Sequence, residues 1–401
     1  MNILFLIPSL SKGGQERAGM ILCNYLSQFH QLTVVSLEPQ QPEEFSYNCP
    51  VIRLGIKRKK SIPGKIFVGF KRLTSLKRIK KELKTDVSIA FGNTAIILNA
   101  MAGNGEIKIA SIRQSLTGMR LDTSLNSRIH HRIYKWAIRK ADKIVPVSNA
   151  INKELLDLFG INNHSFIYNG YNFEEIKIKA AEATRYSYDN KFWLVHCSRF
   201  DISKGHWHLV KIFAEIKKMY PHIGLMLIGG VDDSAGSGME IMDFCKKYIE
   251  HNKMVWATED PEADVLFLGH QSNPFPFISK ADLFVMPSLW EGFPNALVEA
   301  MICGLPVVAA NCNTGPKEIL LNESTGKEYG LLLPPFTDYF DKADYNTGKL
   351  DYYWAENILN LINDKDRREI YKQRSIERSI EYSVRAFGEN WMNIIEDSNE
   401  A

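Results

Sequence analysis

The sequence predicts an α/β protein of two doubly wound domains, each a parallel sheet covered by helices on both faces, facing each other across a cleft. Three observations carry this expectation. The 401 residues suit two domains of ordinary size. Short apolar runs alternate with helix-period stretches along the chain, and the runs are continuous, as in strands buried on both faces. The theme also occurs twice, interrupted by a polar stretch at residues 169–190.

In the first half the apolar runs fall at residues 2–7, 32–37, 86–91, 107–112 and 143–147. Ala18, Ile21, Leu22, Tyr25, Leu26 and Phe29 repeat at helical spacing between the first two. In the second half strands are expected at 192–197, 224–228, 265–268, 283–286 and 306–309, with a last one near 330–333. Helices are expected at 206–218, 239–251 and 295–303, and the tail from Asp351 reads as helical throughout. The expected domains are residues 1–170 and 171–375. Residues 376–401 form a tail whose segment 384–395 could cross back onto the first domain. Residues 335–350, rich in Asp and Tyr, offer no functional reading.

Composition narrows the class. Hydrophobic residues are 45% and charged residues 24%, which supports a packed core and argues against disorder. No apolar run reaches the roughly 20 residues of a membrane-spanning helix. Residues 1–7 are too short for a signal-peptide core and no basic residue precedes them, so secretion is not expected. The six cysteines form no C-x-x-C pair and no zinc pattern, as expected of reduced, buried cysteines in a cytosolic protein. Net charge is +3, but residues 1–168 hold 25 Lys/Arg against 11 Asp/Glu while the remainder holds 24 against 35. One half is thus suited to an anionic surface or ligand.

Three segments carry chemistry. The first is P-S-L-W-E-G-F-P-N-A-L-V-E-A at 287–300. A strand should end at Met286, a turn should hold Glu291 and Gly292, and Pro294 suits the start of a helix bearing Glu299. Both carboxylates then lie beyond a strand's C-terminal end, where α/β sheets present ligands, and carboxylates accept hydrogen bonds from sugar hydroxyls. The bland alternative is two acids favouring a helix N-terminus. The second is S-R-F-D-I-S-K-G at 198–205, where Arg199 and Lys204 could clamp a diphosphate or simply be solvated turn residues. The third is the loop around Gly13 and Gly14, whose glycines let backbone approach a ligand, though turns use such pairs constantly.

E-G-F-P-N-x-x-x-E resembles the E-x7-E element of retaining GT-B glycosyltransferases, glycosyltransferase family 4 (glycosyl transferases group 1). The resemblance extends through F-L-G-H-Q-S-N-P at 267–274, A-D-L-F-V-M-P-S at 281–288 and G-L-P-V-V-A-A at 304–310. Its ending, C-N-T-G-P-K-E-I-L at 312–320, resembles the branch acting on lipid-linked bacterial surface polysaccharides, and the match spans most of residues 192–333. The resemblance implies two Rossmann-like domains, residues 1–170 binding the acceptor and 171–375 the donor, and a donor-binding set of Gly13, Gly14, Arg199, Lys204, Glu291, Gly292, Phe293, Asn295 and Glu299. Within it, Glu299 holds the donor ribose, Glu291 contacts the transferred sugar, and Arg199 and Lys204 hold the diphosphate. Glu291, Arg199 and Lys204 are then the catalytic residues, with retention at the anomeric carbon and the donor phosphate taking the acceptor proton. No D-x-D metal motif is evident near the clamp, so no metal or other cofactor is expected. One departure concerns the acceptor side. Many relatives carry a histidine after the strand at 107–112, whereas this chain has Arg113, which reads as a contact to sugar or acceptor phosphate or as a surface charge.

Residues 57–84 contain twelve Lys/Arg and one acid, Glu82, with Ile66, Phe70, Leu73, Leu76, Ile79 and Leu83 at helical spacing. A basic amphipathic helix over 65–84 reads as an anionic membrane contact, or as a core-facing helix with a solvated basic face. Nucleic acid is not expected, because no recognition motif accompanies the charge. The combined expectation is an enzyme moving a hexose or N-acetylhexosamine from a UDP-sugar to a lipid-linked oligosaccharide, for O-antigen or capsule, in the cytoplasm at the inner face of the membrane. Its rivals are a sugar-nucleotide epimerase sharing the fold and a non-catalytic sugar-binding protein. An NAD-dependent oxidoreductase fits poorly, since residues 9–15 lack G-x-G-x-x-G.

Overall fold

The structure is a computed structural model and describes residues 1–10, 13–38, 45–57, 61–117, 125–231 and 237–397. It forms two compact units, Met1–Tyr171 with Tyr382–Ala401, and Asn172–Glu381.

The first unit runs β1 (Asn2–Ile7), α1 (Gly14–Leu26), β2 (Gln31–Ser36), β3 (Val51–Arg53), α2 (Ile62–Glu82) and β4 (Val87–Phe91). It continues through α3 (Asn93–Met101), β5 (Ile107–Ile112), α4 (Leu125–Arg139), β6 (Lys143–Pro146) and α5 (Asn149–Glu154). Among the described residues six strands form a parallel sheet ordered β3-β2-β1-β4-β5-β6. From β1 the order runs outward to β2 and β3, then resumes at β4 on the other side. Right-handed crossovers therefore place α1 on one face of the sheet and α2, α3 and α4 on the other. In agreement, α3 packs against both α2 and α4, while α1 packs against the return helix Val384–Asp397.

Apolar side chains hold this helix in place. Trp391 is fully buried with its ring 5.8 Å from that of Phe91, which meets Phe5 at 4.7 Å. Burying such a side chain is worth about 1.5–3 kcal/mol, and Phe387 and Ile395 add to the same cluster. Gly388 sits where any Cβ would collide with the Tyr25 ring, which sets how closely the return helix approaches α1. The return begins at Tyr382 rather than at residue 376, because the preceding helix runs on to Ser379 and stays with the second unit.

The second unit begins with α6 (Phe173–Ala180), β7 (Phe192–Cys197), α7 (His206–Met219), β8 (Ile223–Ile228), α8 (Gly238–His251) and β9 (Trp256–Ala257). There follow β10 (Val265–Gly269), α9 (Phe275–Lys280), β11 (Leu283–Met286), α10 (Asn295–Ile302), β12 (Val307–Ala310) and α11 (Pro316–Leu320). A small hairpin of β13 (Leu321–Asn322) and β14 (Lys327–Glu328) precedes β15 (Leu331–Leu333), α12 (Lys349–Asn363) and α13 (Lys365–Ser379). Its sheet is parallel, ordered β15-β12-β11-β7-β8-β10-β9. The polar stretch at residues 169–190 contains α6, capped by the Asn172 side chain and packed on α9 and α10 through buried Ile176. A helix of eight residues with one buried apolar position has too little periodicity to read in sequence.

Residues 335–350 prove to be core cover. Phe336 stacks on His208 with ring centroids 3.8 Å apart, Phe340 meets Trp207 at 5.4 Å, and Tyr345 meets Phe244 at 5.1 Å. These aromatic contacts seal α7 and α8 without regular secondary structure.

Candidate active site

Each sheet has one place where the strand order reverses and adjacent loops depart in opposite directions, leaving a crevice for ligands. In the second unit that place lies between β7 and β11. The loop after β7 carries Arg199 and Lys204, and the loop after β11 carries Glu291 and leads into α10 with Glu299.

The two loops are laced together by backbone. Leu289 N donates to Ser203 O at 2.8 Å. Gly205 adopts φ +66° and lies so close to Pro287 that a Cβ would strike its carbonyl oxygen. A side chain at 205 would be strained and would also push the loops apart. Asp201 caps the turn before α7 by accepting from Ser203 N at 2.8 Å and from Ser203 Oγ at 2.6 Å. Behind them, Gly229 at φ +145° sits where a Cβ would collide with the Ser198 carbonyl, so the end of β8 buttresses the Ser198–Arg199 peptide.

That geometry delivers Lys204 to Glu291. Lys204 Nζ donates to both Glu291 oxygens at 2.8 Å, and Ser288 Oγ donates to Oε1 at 2.8 Å. Thr314, itself buried, donates to the Glu291 carbonyl, and Gly315 at φ +89° brings α11 to within 2.6 Å of Pro294, measured from a hypothetical Cβ. Glu291 is thus an almost buried carboxylate held through side chain and backbone, with the lysine as counter-charge. Glu299 is 7% exposed one turn into α10, Gly292 and Asn295 are partly buried, Phe293 is buried, and the Arg199 side chain is exposed. The expected donor residues of this unit therefore converge on one sheet crevice, but Lys204 arrives already paired.

A feature absent from the sequence reading lies beneath the clamp. The β7–β11 register ends at Val195 and Phe284, and there His196 Nδ1 takes the Val285 carbonyl at 2.8 Å. A carbonyl only accepts, so Nδ1 carries the proton and Nε2 accepts from Ser198 Oγ at 2.7 Å. The Ser198 oxygen then faces His206 Nε2 at 3.4 Å as an acceptor. Burial pushes His196 down to about 4 and His206 well below its ordinary value, with the neighbouring Lys204 charge acting in the same direction. Both rings are neutral at pH 7 and orient the serine next to Arg199. His196 within an apolar strand and His206 opening α7 give no sequence signal, because only the parting of β7 and β11 brings them together.

In the first unit the reversal lies between β1 and β4. Gly13 ends the loop after β1 and Gly14 opens α1, both exposed, with Ser11 and Lys12 of the same loop outside the described residues. Gly92 follows β4 at φ +87°, and a Cβ there would lie 2.9 Å from Gln15 Nε2, so the turn after β4 meets the first turn of α1. Arg113 follows β5 and is partly buried, its guanidinium 4.6 Å from the centroid of the Phe91 ring. It donates to Asn169 Oδ1 and reaches Ser111 Oγ at 3.5 Å. Burial draws it down to about 9, still cationic at neutral pH, and among the described residues no carboxylate pairs with it. This is not a solvated surface charge. Nearby, Glu154 accepts from Ser115 Oγ at 2.7 Å and Leu116 N at 2.7 Å, fixing the loop after Arg113.

Residues 12–175 match the family model described as Glycosyltransferase Family 4, and residues 191–343 match that of Glycosyl transferases group 1. The chain belongs to the family 4 glycosyltransferases. This glycosyltransferase is 27% identical over 358 residues to an uncharacterized glycosyltransferase of Methanocaldococcus jannaschii, covering 82% of this chain and 84% of that one. It is 25% identical over 383 residues, 93% of each chain, to the Campylobacter jejuni N-acetylgalactosamine-N,N'-diacetylbacillosaminyl-diphospho-undecaprenol 4-alpha-N-acetylgalactosaminyltransferase. Its fold is GT-B. It superposes on Anabaena HepE in complex with UDP and glucose with a TM-score of 0.72 at 19% identity, covering 99% of this chain and 100% of that one. The sucrose-phosphate synthase of Thermosynechococcus elongatus gives 0.76 at 19% identity, with 99% of each chain covered.

The basic helix of the glycosyltransferase divides differently from its sequence reading. Lys80 is fully buried, 2.5 Å from Glu106 Oε1 and 2.7 Å from Asn99 Oδ1, and Arg72 is buried and donates to Ile56 O. Val68, Leu76 and Ile79 face the core, whereas Ile66, Phe67 and Phe70 are 56–68% exposed beside exposed Lys65 and Lys71. Helical spacing alone cannot distinguish a core-facing apolar stripe from an outward one. Residues 58–60 of the basic run lie outside the described residues. Among the described residues no helix is long and apolar enough to cross a membrane.

Proposed function

We propose that this glycosyltransferase moves a hexose or N-acetylhexosamine from a UDP-sugar to a lipid-linked glycan, with retention at the anomeric carbon, in O-antigen or capsule assembly. The observation that carries the donor half is the convergence of Arg199, Lys204, Glu291 and Glu299 on the strand-order reversal of the second unit. A nucleotide diphosphate sugar offers there a ribose diol for Glu299, a diphosphate for Arg199 and Lys204, and sugar hydroxyls for Glu291 and the Gly292, Phe293 and Asn295 backbone. In the first unit Gly13 and Gly14, at the strand-order reversal of that sheet, suit close approach of backbone amides to an anionic ligand group. Arg113, cationic and without a paired acid among the described residues, suits a phosphate of the lipid-linked acceptor.

In the proposed step the bond between the anomeric carbon and the diphosphate oxygen breaks while the acceptor hydroxyl forms the new glycosidic bond. The acceptor proton passes to a donor phosphate oxygen, and the nucleoside diphosphate leaves. Arg199 and Lys204 stabilise the charge that develops on the leaving group, the role a divalent metal would otherwise play. Lys204 must then exchange part of its contact with Glu291 for phosphate, so donor binding and the state of Glu291 are linked. The exposed Ile66, Phe67 and Phe70 of α2, with Lys65 and Lys71, support peripheral attachment at the inner face of the cytoplasmic membrane.

The deciding experiment is a thermal-shift panel of nucleotide sugars followed by incubation of the stabilising one with lipid-linked acceptors. Glycan extension with an α-linkage from an α-donor supports the reading. A changed free sugar nucleotide with no extension indicates an epimerase, and stabilisation by sugar alone indicates a binding protein.

A further inference from the structure

Two buried histidines meet one serine beside Arg199, and packing alone gives no reason for their polarity. His196, Ser198 and Phe200 alternate along the end of β7 and so share one face of the sheet. His206, the first residue of α7, meets all three. Its ring stacks on that of Phe200 at 4.1 Å, stands edge-on to that of His196 at 4.8 Å and turns Nε2 to Ser198 Oγ at 3.4 Å. Both histidines are buried, and His206 Nδ1 has no hydrogen-bond partner among the described residues. A buried polar nitrogen left unpaired is unfavourable, and a phenylalanine would keep the stack on Phe200 without it. The main chain around Arg199 is fastened to the end of β8, where Ser198 N donates to Ile228 O at 2.8 Å and Phe200 N donates to Gly230 O at 3.0 Å. Beyond Val195 the link to β11, the strand that leads to Glu291, is made by side chains: Ser198 Oγ donates to His196 Nε2 at 2.7 Å, and His196 Nδ1 donates to Val285 O at 2.8 Å. The same hydroxyl lies 3.4 Å from the Arg199 carbonyl oxygen.

We propose that Ser198 is a positioning residue for the donor diphosphate. Held between His196 and His206, it fixes the Arg199 peptide against the strand that leads to Glu291, so that guanidinium and carboxylate keep one spacing. This rests on the donor reading above, in which Arg199 holds the diphosphate. Arg199 is exposed and its side chain is long, so ordering it on a ligand offsets part of the binding. A peptide that is already fixed leaves less to order. Hydrogen bonds suit that task better than apolar contacts, because they set direction as well as distance and strengthen in a dry interior. The polarity of both histidines, unfavourable for packing, is accounted for by what it does to the serine: His196 accepts its proton and His206 donates to its oxygen, which leaves the hydroxyl one orientation.

The test is calorimetry of UDP, GDP and ADP binding to the full chain, carried through a double-mutant cycle. With the nucleotide that binds wild type best, Arg199→Ala should weaken affinity by about 10- to 100-fold, as expected for a lost hydrogen bond between charged groups. Ser198→Ala should weaken it by about three- to tenfold, but by less than about twofold in the Arg199→Ala background. His206→Phe keeps the stack on Phe200 and removes the unpaired nitrogen. It should hold or raise the melting temperature while weakening the nucleotide by about two- to fivefold, a split that a histidine serving packing alone would not produce. Wild-type affinity in Ser198→Ala, or the same loss in both Arg199 backgrounds, overturns the proposal and leaves the donor reading standing. A lower melting temperature in His206→Phe with unchanged affinity also overturns it and assigns that ring to packing. Full affinity in Arg199→Ala, or no nucleotide bound by wild type, overturns the donor reading and the proposal with it.

Discussion

Replacing Glu291 by Gln tests the link between the Lys204 pair and donor binding most directly. Gln keeps the shape and can still accept from Ser288, but its amide presents a donor towards Lys204 Nζ, now 2.8 Å from both carboxylate oxygens. At an effective dielectric of about 20, charges about 3 Å apart attract by roughly 5 kcal/mol, and desolvation cancels much of that. The lysine side chain is one-fifth exposed and the glutamate about one-tenth, so about 2 kcal/mol of net stabilisation is expected to remain. For a unit of this size that corresponds to a melting temperature about 4–8 °C lower. Lys204→Met should cost a similar amount, and the double variant should show a coupling energy of about 2 kcal/mol. The two single variants should then part company in function. Glu291→Gln frees the lysine charge, so UDP affinity by calorimetry should rise or hold while kcat falls by about 10- to 100-fold. Lys204→Met should weaken UDP and lower kcat together. An unchanged melting temperature in Glu291→Gln, or equal loss of UDP affinity in both variants, would refute the reasoning.

Glu299→Ala should raise the donor KM with little change in kcat, because contacts to a ribose are alike in the ground and transition states; steady-state kinetics with the identified donor checks this. Arg113→Met should raise the acceptor KM while leaving the melting temperature unchanged or higher, because it removes a partly buried charge that has no paired acid among the described residues. Stability should fall as pH drops from about 6.5 towards 4, because the unfolded chain takes up protons that buried neutral His196 and His206 refuse. The His196 contribution is about 3 kcal/mol, fully present above the unfolded value and lost as pH falls towards the folded one. Urea midpoints of wild type and His196→Asn across that range should converge at low pH, and parallel curves would show that the histidine does not carry the effect.

What the sequence determined by itself is whatever depends on order along the chain. Continuous apolar runs predicted the central strands of both sheets, since a parallel strand buried on both faces leaves an unbroken run. The loops bearing Arg199, Lys204, Glu291 and Glu299 were legible because strand, turn and helix-start signals bracket them within a few residues. What only the tertiary structure decided is which distant residues meet and which side of a helix faces out. The Lys204–Glu291 pair spans 87 residues, and the Lys80–Glu106 pair spans 26 and withdraws a lysine from a run that reads as basic surface. The His196–Ser198–His206 chain exists because β7 and β11 part just beyond Val195. Helix α2 carries two apolar stripes, and period alone treats them alike. Packing against α3 buries one and leaves the other to solvent, because burial depends on what the sheet and its crossovers place alongside.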